Sequence, residues 1–417
     1  MKKIIFFLLV FGFIQHGFSQ QNISFLNDTA QRLSFSIQGN FDYGSSFGSN
    51  SFLNKFIYGG KISRDDKSTL YQKLDGTNTI GGDVNFSAQA EIPFDTLFKK
   101  NNLSLVVGLE HTEHFDAKLS SDLVKLILDG NKQFAGAYAN IGNTNFNYFN
   151  YQQINVGIVK YKKHNDRPAK EGVLFSLIKA QEHQAITIPD GSLFTEQLGN
   201  ELIFDLNYIY NASDTSNTGF KAFNGIGIST DFFTEYNLKN GGKIRLNIDD
   251  LGFIQWNKKS IQIEADTVIS FDGVEIENIF DINDSLIASF SRDSLFEYVS
   301  TKKGTGGYAI ALPTTFNINY FHPFSDKIAM NVGLRYKILS NYFPLLYTNI
   351  QFNFTSNFIT QGNIVYGGYG KLNVGITVAK QFKEKYQIIM GSNHVGAYLL
   401  PSNTFSNNGF LVLKMYF

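Results

Sequence analysis

His111, Glu113 and His114, in the string Glu110-His-Thr-Glu-His114, are the residues of this chain whose types and spacing come nearest to chemistry. Two histidines and a glutamate in H-E-x-x-H order on one helix face would hold zinc and supply a general base. The order here differs, and on a strand His111 and Glu113 share one face while His114 points to the other. A hydrolytic site needs a nucleophile, a base and an orienting group converging on one side, and no spacing of Ser and His selects such a set. His322 and His394 stand alone, as interface or lumen residues. Gly304-Thr-Gly306-Gly307 lacks the lysine and helix start of a phosphate loop. No catalytic, cofactor-binding or metal-ligating residue is assigned, no cofactor is implied, and the chain does not read as an enzyme.

One acidic stretch remains. Between Ile261 and Ser300 stand Glu264, Asp266, Asp272, Glu275, Glu277, Asp281, Asp284, Asp293 and Glu297 against one base, Arg292. A calcium site wants oxygen ligands at close, regular spacing. The spacing here is irregular, so residues 257–308 read as a long acidic loop that is solvated or faces a partner.

Composition narrows the class that must carry these residues. Of 417 residues, 43% are hydrophobic and 15% aromatic, but only 17% are charged, below the ~25% of an ordinary soluble domain. Cys is absent, so neither disulfides nor thiolate metal sites hold the chain together. Lys+Arg equals Asp+Glu at 36 each, which gives no electrostatic case for nucleic acid.

The positioning elements are strands. Leu103, Leu105, Val107 and Leu109 alternate with Ser104, Val106, Gly108 and Glu110. Ile328, Met330, Val332, Leu334 and Tyr336 alternate with Ala329, Asn331, Gly333, Arg335 and Lys337. Ile244, Leu246 and Ile248 alternate with Arg245, Asn247 and Asp249. Small and polar residues on the second face do not suit a dry sandwich core. They suit an all-β, transmembrane antiparallel barrel with lipid outside and a polar lumen inside. Fourteen strands are expected near 83–92, 102–115, 147–162, 171–183, 201–211, 222–237, 243–256, 309–323, 327–339, 348–356, 358–367, 370–382, 386–399 and 409–417. An even count puts both ends, and the short turns at Lys239–Gly242, Phe324–Asp326 and Lys383–Lys385, in the periplasm.

Residues 81–417 are thus the barrel. Residues 21–80 are expected to form a hatch or plug, the alternative being that Leu33 to Tyr43 is a first strand followed by a loop. Residues 44–80, rich in Gly, Ser, Asn and Asp, read as irregular. Residues 120–131 predict one short helix, capped by Ser120 or Ser121 and ended by Gly130, with Leu123, Leu126 and Ile127 on one face. Strand parity places it on the periplasmic side, as a cover for exposed barrel residues. Aromatics near strand ends, among them Tyr148, Phe149, Tyr151, Phe232, Phe253, Trp256, Tyr320, Tyr342, Phe343 and Tyr347, read as interfacial girdles. An apolar path through the barrel would need such residues to face inward.

Both ends of the chain speak to compartment. Lys2 and Lys3 precede an apolar run from Ile4 to Ile14, and small residues lead to a cleavage site near Ser19 or Gln20. Residues 1–20 therefore read as a signal peptide, too short to span a bilayer, which takes ~20 apolar residues. Gly409 to Phe417 reads GFLVLKMYF, with Leu411, Leu413, Met415 and Phe417 on one face. It resembles the closing strand of a bacterial outer-membrane barrel, whose terminal aromatic is read by the barrel-assembly machinery.

An exported fourteen-strand barrel with an N-terminal hatch resembles the long-chain fatty acid transporter family. The strings LILDGNKQFAG (126–136), DLGFIQW (250–256), FDGVEI (271–276) and LPTTFNINY (312–320) more closely resemble an uncharacterised outer-membrane barrel family of gliding-type bacteria. That family has no assigned reaction, and no functional residue carries over. Where relatives have Asn-Pro-Ala after a Gln-Arg pair, this chain has Leu33-Ser-Phe-Ser-Ile37. The resemblance implies a passive channel for small hydrophobic or amphiphilic molecules, with outer-membrane lipid around it. The second implication is a non-transporting accessory barrel that meets proteins of a secretion or gliding complex.

Overall fold

The computed structural model describes residues 32–94, 102–164, 167–271 and 303–417. The expected signal peptide, residues 21–31 of the expected hatch, and seven of the nine carboxylates of the acidic stretch lie outside the described residues. Glu264 and Asp266 are described, on a strand.

Among the described residues nineteen strands form one sheet. The first nine are β1 (Ser34–Ser45), β2 (Asn78–Phe94), β3 (Leu103–Leu119), β4 (Ala137–Asn140), β5 (Thr144–His164), β6 (Arg167–Thr195), β7 (Leu202–Ala212), β8 (Gly225–Asn237) and β9 (Lys243–Trp256). There follow β10 (Ile261–Phe271), β11 (Lys303–Thr305), β12 (Ala309–Ala311), β13 (Thr315–Pro323) and β14 (Ile328–Lys337). The last are β15 (Phe343–Thr355), β16 (Phe358–Gly368), β17 (Asn373–Phe382), β18 (Tyr386–Ser392) and β19 (Ser406–Tyr416). A closed antiparallel 14-strand barrel runs through β1, β2, β3, β5, β6, β8, β9 and β13 to β19. It shuts where β19 pairs with β1 from Ser34↔Tyr416 to Gly44↔Ser406. The Phe417 N–H donates to the Leu33 carbonyl at 2.9 Å. Closure satisfies every wall strand on both edges, which hydrocarbon demands because it offers no hydrogen bonds.

The expected number of strands stands, but its membership is corrected at two places. Leu33 to Tyr43 is a wall strand, so the described part of residues 21–80 places no hatch in the lumen. The expected strand at 201–211 is not in the wall. It is β7, which pairs with the distal half of β6 and with β10 beyond the ring. β6 is 29 residues long; Ile178 pairs into the barrel, whereas Phe194 pairs with β4 and β7 in this outlying sheet. The two errors cancel in the count, because alternation marks a two-faced strand and not the ring that owns it.

Outside, the wall is apolar. Leu109, Ile154, Leu177, Ile228 and Phe253 lie side by side across five paired strands. Each is 47–58% exposed. A contiguous apolar band of this kind belongs against lipid, not water. Among the described residues no helix is long and apolar enough to cross a membrane; the crossing is made by strands.

The turns at 239–242, 324–326 and 383–385 lie at the end that carries the chain termini, as expected. Opposite them, residues 46–77 are not irregular. They carry α1 (Asn50–Tyr58) and α2 (Arg64–Tyr71). Ser63 and Asp66 make a reciprocal capping box that starts α2. The predicted helix is α3 (Ser121–Asp129), capped by Ser120 on the Leu123 N–H. Its side and its buried face are corrected. It stands at the end opposite the termini, because counting β1 reverses the parity. It buries Val124 and packs Leu128, not Leu123, Leu126 and Ile127, against Phe47, Phe52, Leu53 and Leu70. These helices and the 393–405 segment cap that rim: the Asn50 side-chain amide donates to Thr404 Oγ1 at 2.9 Å and to the Ser406 carbonyl at 2.8 Å.

Candidate functional site

The lumen is where polar side chains gather, since every second residue of each wall strand must face it. From β13 to β17 Asn and Gln recur at the inward positions. The Asn319 amide donates to Asn331 Oδ1 at 2.6 Å, and the Tyr347 hydroxyl donates to Asn317 Oδ1 at 2.9 Å. The Gln361 amide donates to Gln351 Oε1 at 3.2 Å. The two amide pairs tie neighbouring strands from inside, and the Tyr347 bond reaches across β14 to β13.

A charged strut crosses the lumen. Lys337 on β14 places Nζ at 2.6 and 2.7 Å from the two carboxylate oxygens of Asp83 on β2. In the ring β2 is second and β14 ninth, so the pair joins opposite walls. The His114 ring on β3 bridges Asp83, at 2.7 Å from Nδ1, and Asp116, at 2.9 Å from Nε2. Asn341, just past β14, bonds Asp116 through its backbone N–H at 3.2 Å and through its side-chain amide. Three strands are thereby held together through charge-assisted bonds in a low-dielectric setting, where such bonds are strongest.

Beside the strut lies a cavity of about 290 Å³. Its apolar shelf is Val106, Val159, Leu174 and Phe233. Gly172 makes the shelf possible: a Cβ there would sit 2.3 Å from the Phe233 ring, so only glycine lets the ring lie flat on the wall. The rest of the lining is polar or charged. Glu91 is paired with Lys170 at 3.5 Å. Glu235 is paired with Arg245 at 2.5 Å and Lys243 at 3.0 Å. Asp42, Glu110, Asp231, Asp249 and Asp250 also line it, and none makes an ion pair among the described residues.

A bulge in β9 puts two of these carboxylates together. Thr230 pairs with Leu251 and Phe232 with Ile248, so Asp231 faces both Asp249 and Asp250. Asp250 takes a left-handed conformation, φ 60°, and its N–H donates to Asp231 Oδ1 at 2.8 Å. Its carboxylate accepts from the Gln153 amide at 3.2 Å and the Tyr151 hydroxyl at 3.3 Å. Strict alternation would have turned Asp250 to lipid and Leu251 to the lumen. The extra residue resets the phase, so Leu251 and Phe253 point outward.

The sequence cluster divides as its spacing requires. His111 and Glu113 face outward, 3.2 Å apart, with the Phe220 ring 6.2 Å from the imidazole. His114 faces inward and joins the strut. His322 lies in the wall at the termini end, beside Tyr320 and Phe324, and His394 is buried in the capping segment. Among the described residues no group of three or more His, Asp or Glu side chains is placed to hold a metal. Sequence reasoning missed Arg335, Lys337 and the Asp249–Asp250 pair. The pair had a signal: adjacent aspartates where apolar parity changes from even (244, 246, 248) to odd (251, 253). The strut had none, because its partners are over 200 residues apart.

The aromatics divide too. Phe232, Phe253 and Phe343 face outward. Phe149, Tyr151 and Trp256 are buried inside with Ile178, Ile254 and Leu312. The His183 ring stacks on Trp256, centroids 5.4 Å apart, and Nδ1 lies 2.6 Å from the Tyr308 hydroxyl. This cluster lies toward the capped end and adjoins the cavity where Tyr151 meets Asp250.

A family model matches residues 27–393 of this barrel. The chain belongs to the Family of unknown function DUF5723. No curated protein matches it in sequence. Among solved structures, this DUF5723 member is similar to the deltaS2S3 mutant of TodX, a monoaromatic hydrocarbon channel, at 8% identity over 93% of this chain and 91% of that chain, TM-score 0.46. It is similar to the toluene transporter TbuX of Ralstonia pickettii at 8% identity over 93% and 90%, TM-score 0.41. The translocator domain of the autotransporter NalP from Neisseria meningitidis matches at 8% over 94% and 91%, TM-score 0.35. Likenesses this distant say nothing about a solute.

Proposed function

We propose that this chain is an outer-membrane barrel acting as a passive channel for small amphiphilic molecules. One observation carries the reading: the lumen holds a cavity of about 290 Å³ with an apolar shelf on one side and, on another, carboxylates that make no ion pair among the described residues. A wholly apolar molecule entering it would strip water from those carboxylates without replacing their hydrogen bonds, at a cost of several kcal/mol (~2–7 per polar group). A molecule with both an apolar and a polar end would not. Passage is gated, because the strut and the Trp256 cluster obstruct the lumen. Export would follow from the N-terminal apolar run, and assembly from recognition of β19 and Phe417.

Planar-bilayer recording and liposome swelling test this. The wild type should conduct weakly. Lys337→Met, which removes the strut, should raise single-channel conductance several-fold and speed the entry of small amphiphiles. Unchanged conductance and uptake in a correctly folded variant would overturn the channel reading. The outlying sheet of β4, distal β6, β7 and β10 favours a second reading, an accessory barrel that presents this sheet to a protein of a secretion or gliding complex. Stoichiometric co-purification of such a protein, lost when β7 and β10 are removed, would support it.

A further inference from the structure

Within the cavity, cationic and anionic recognition stand side by side. Arg335 is 8% exposed and lines it, and its Nε and Nη2 have no hydrogen-bond partner among the described residues. A buried guanidinium with free N–H groups is a strong receptor for a carboxylate. Asp249 and Asp231 on the same lining make no ion pair among the described residues, and the side-chain carbonyl oxygen of Asn247 has no donor there either. These groups ask for a cation that also donates hydrogen bonds.

The sheet register keeps the two halves close. Arg335 pairs with Asn317, and Asp249 with Thr315. The guanidinium and the carboxylate therefore project from the strands that flank β13, two strands across and two residues along, about 12 Å apart at the backbone, a gap that the two side chains and a small zwitterion can span between them. Asn317 also pairs with Asn247, which pairs with Phe233, so the apolar shelf begins in the same row as Arg335.

We propose that this cavity binds a small zwitterion with an apolar tail, of which an α-amino acid with an aliphatic or aromatic side chain is the simplest form. Its carboxylate sits on Arg335, its ammonium on Asp231 and Asp249, and its side chain on the shelf of Phe233, Leu174 and Val106. A lone metal cation would leave the arginine donors unmatched, and a fatty acid would leave the aspartates unmatched. The assignment deepens the amphiphile-channel reading and rests on it for the ligand's access, but it is tested by binding alone.

The experiment is isothermal titration of the full barrel in detergent micelles with L-leucine, with 3-methylbutan-1-amine (leucine without its carboxylate) and with 4-methylpentanoate (leucine without its ammonium). Leucine should bind at least tenfold more tightly than either. Arg335→Gln should erase its advantage over the amine, and Asp249→Asn its advantage over the acid. Gly172→Ala, which pushes Phe233 into the cavity, should weaken leucine more than glycine. Folding of each variant is read from its heat-dependent migration on gels. If Arg335→Gln fails to fold, the wild-type ranking of the three probes decides. Equal binding of amine and leucine, or no saturable leucine binding, overturns the proposal. Leucine binding without leucine flux would overturn the channel reading and leave this one standing; flux without zwitterion preference would do the reverse.

Discussion

Lys337 shows how much one residue carries in this lumen. It meets both oxygens of Asp83 from the opposite wall, and both partners are largely shielded from water. Removing one member of a buried pair costs ~3–5 kcal/mol, because the other charge stays buried without a partner; replacing both is far milder. Lys337→Met should therefore destabilise the barrel by about 3 kcal/mol, and Lys337→Met with Asp83→Asn should recover most of it. Denaturant unfolding from lipid vesicles measures both. Equal losses in the single and double variants would show that the strut contributes nothing as a pair. The strut residues were legible as inward-facing, since Lys337 and His114 each sit on the polar phase of a strand. Their meeting was not, because alternation says which way a side chain points and not what stands across the lumen.

At the scale of elements, local pattern worked where the element answers to its own residues. Ser120 starts α3, and the turn at Lys383–Lys385 closes a hairpin through two left-handed residues, Lys383 and Glu384. It failed where a neighbour decides. The buried face of α3 is chosen by Phe52 and Leu70 of the cap; α1 was hidden by the glycines that flank it, and α2 by its polar sequence. The cap also carries a pH dependence. Burial pushes the His394 imidazole down to about 4 from 6.5. The hydrogen bond from Lys55, helped by Ser63, holds Asp66 at about 2, below its usual 3.8. A depressed group adds stability that is full above its unfolded value and is lost as pH falls through the folded one. The His394 contribution should thus fade as pH drops from 6.5 toward 4, and the Asp66 contribution only between 3.8 and about 2. The second effect is small, since an exposed pair contributes ~0–1 kcal/mol. Hydrogen exchange of residues 46–76 should quicken in two stages as pH falls, after correction for intrinsic rates. Protection that stays flat from pH 7 to pH 4 would exclude His394 as the cause.

For the whole molecule, the decisive fact is that β1 closes the ring. Deleting residues 34–45 should abolish the folded barrel, seen as loss of heat-dependent gel migration, since β2 and β19 would face hydrocarbon with unpaired edges. A hatch at those residues predicts the contrary outcome, an intact barrel with raised conductance.

The sequence by itself determined the class: period-two alternation with an apolar phase and a small, polar phase is satisfied by a barrel in lipid, although the total of fourteen strands came out only because two errors of membership cancelled. The phase slip at Asp249–Asp250, read closely, even announces the bulge. Tertiary structure alone decided which strands form the wall, which end carries the helices, and which lumen residues meet. Those are relations between segments far apart in the chain, 382 positions at the Ser34↔Tyr416 pair, set by closure of a single sheet and by packing across its interior, and a local pattern of alternating residues carries no term for either.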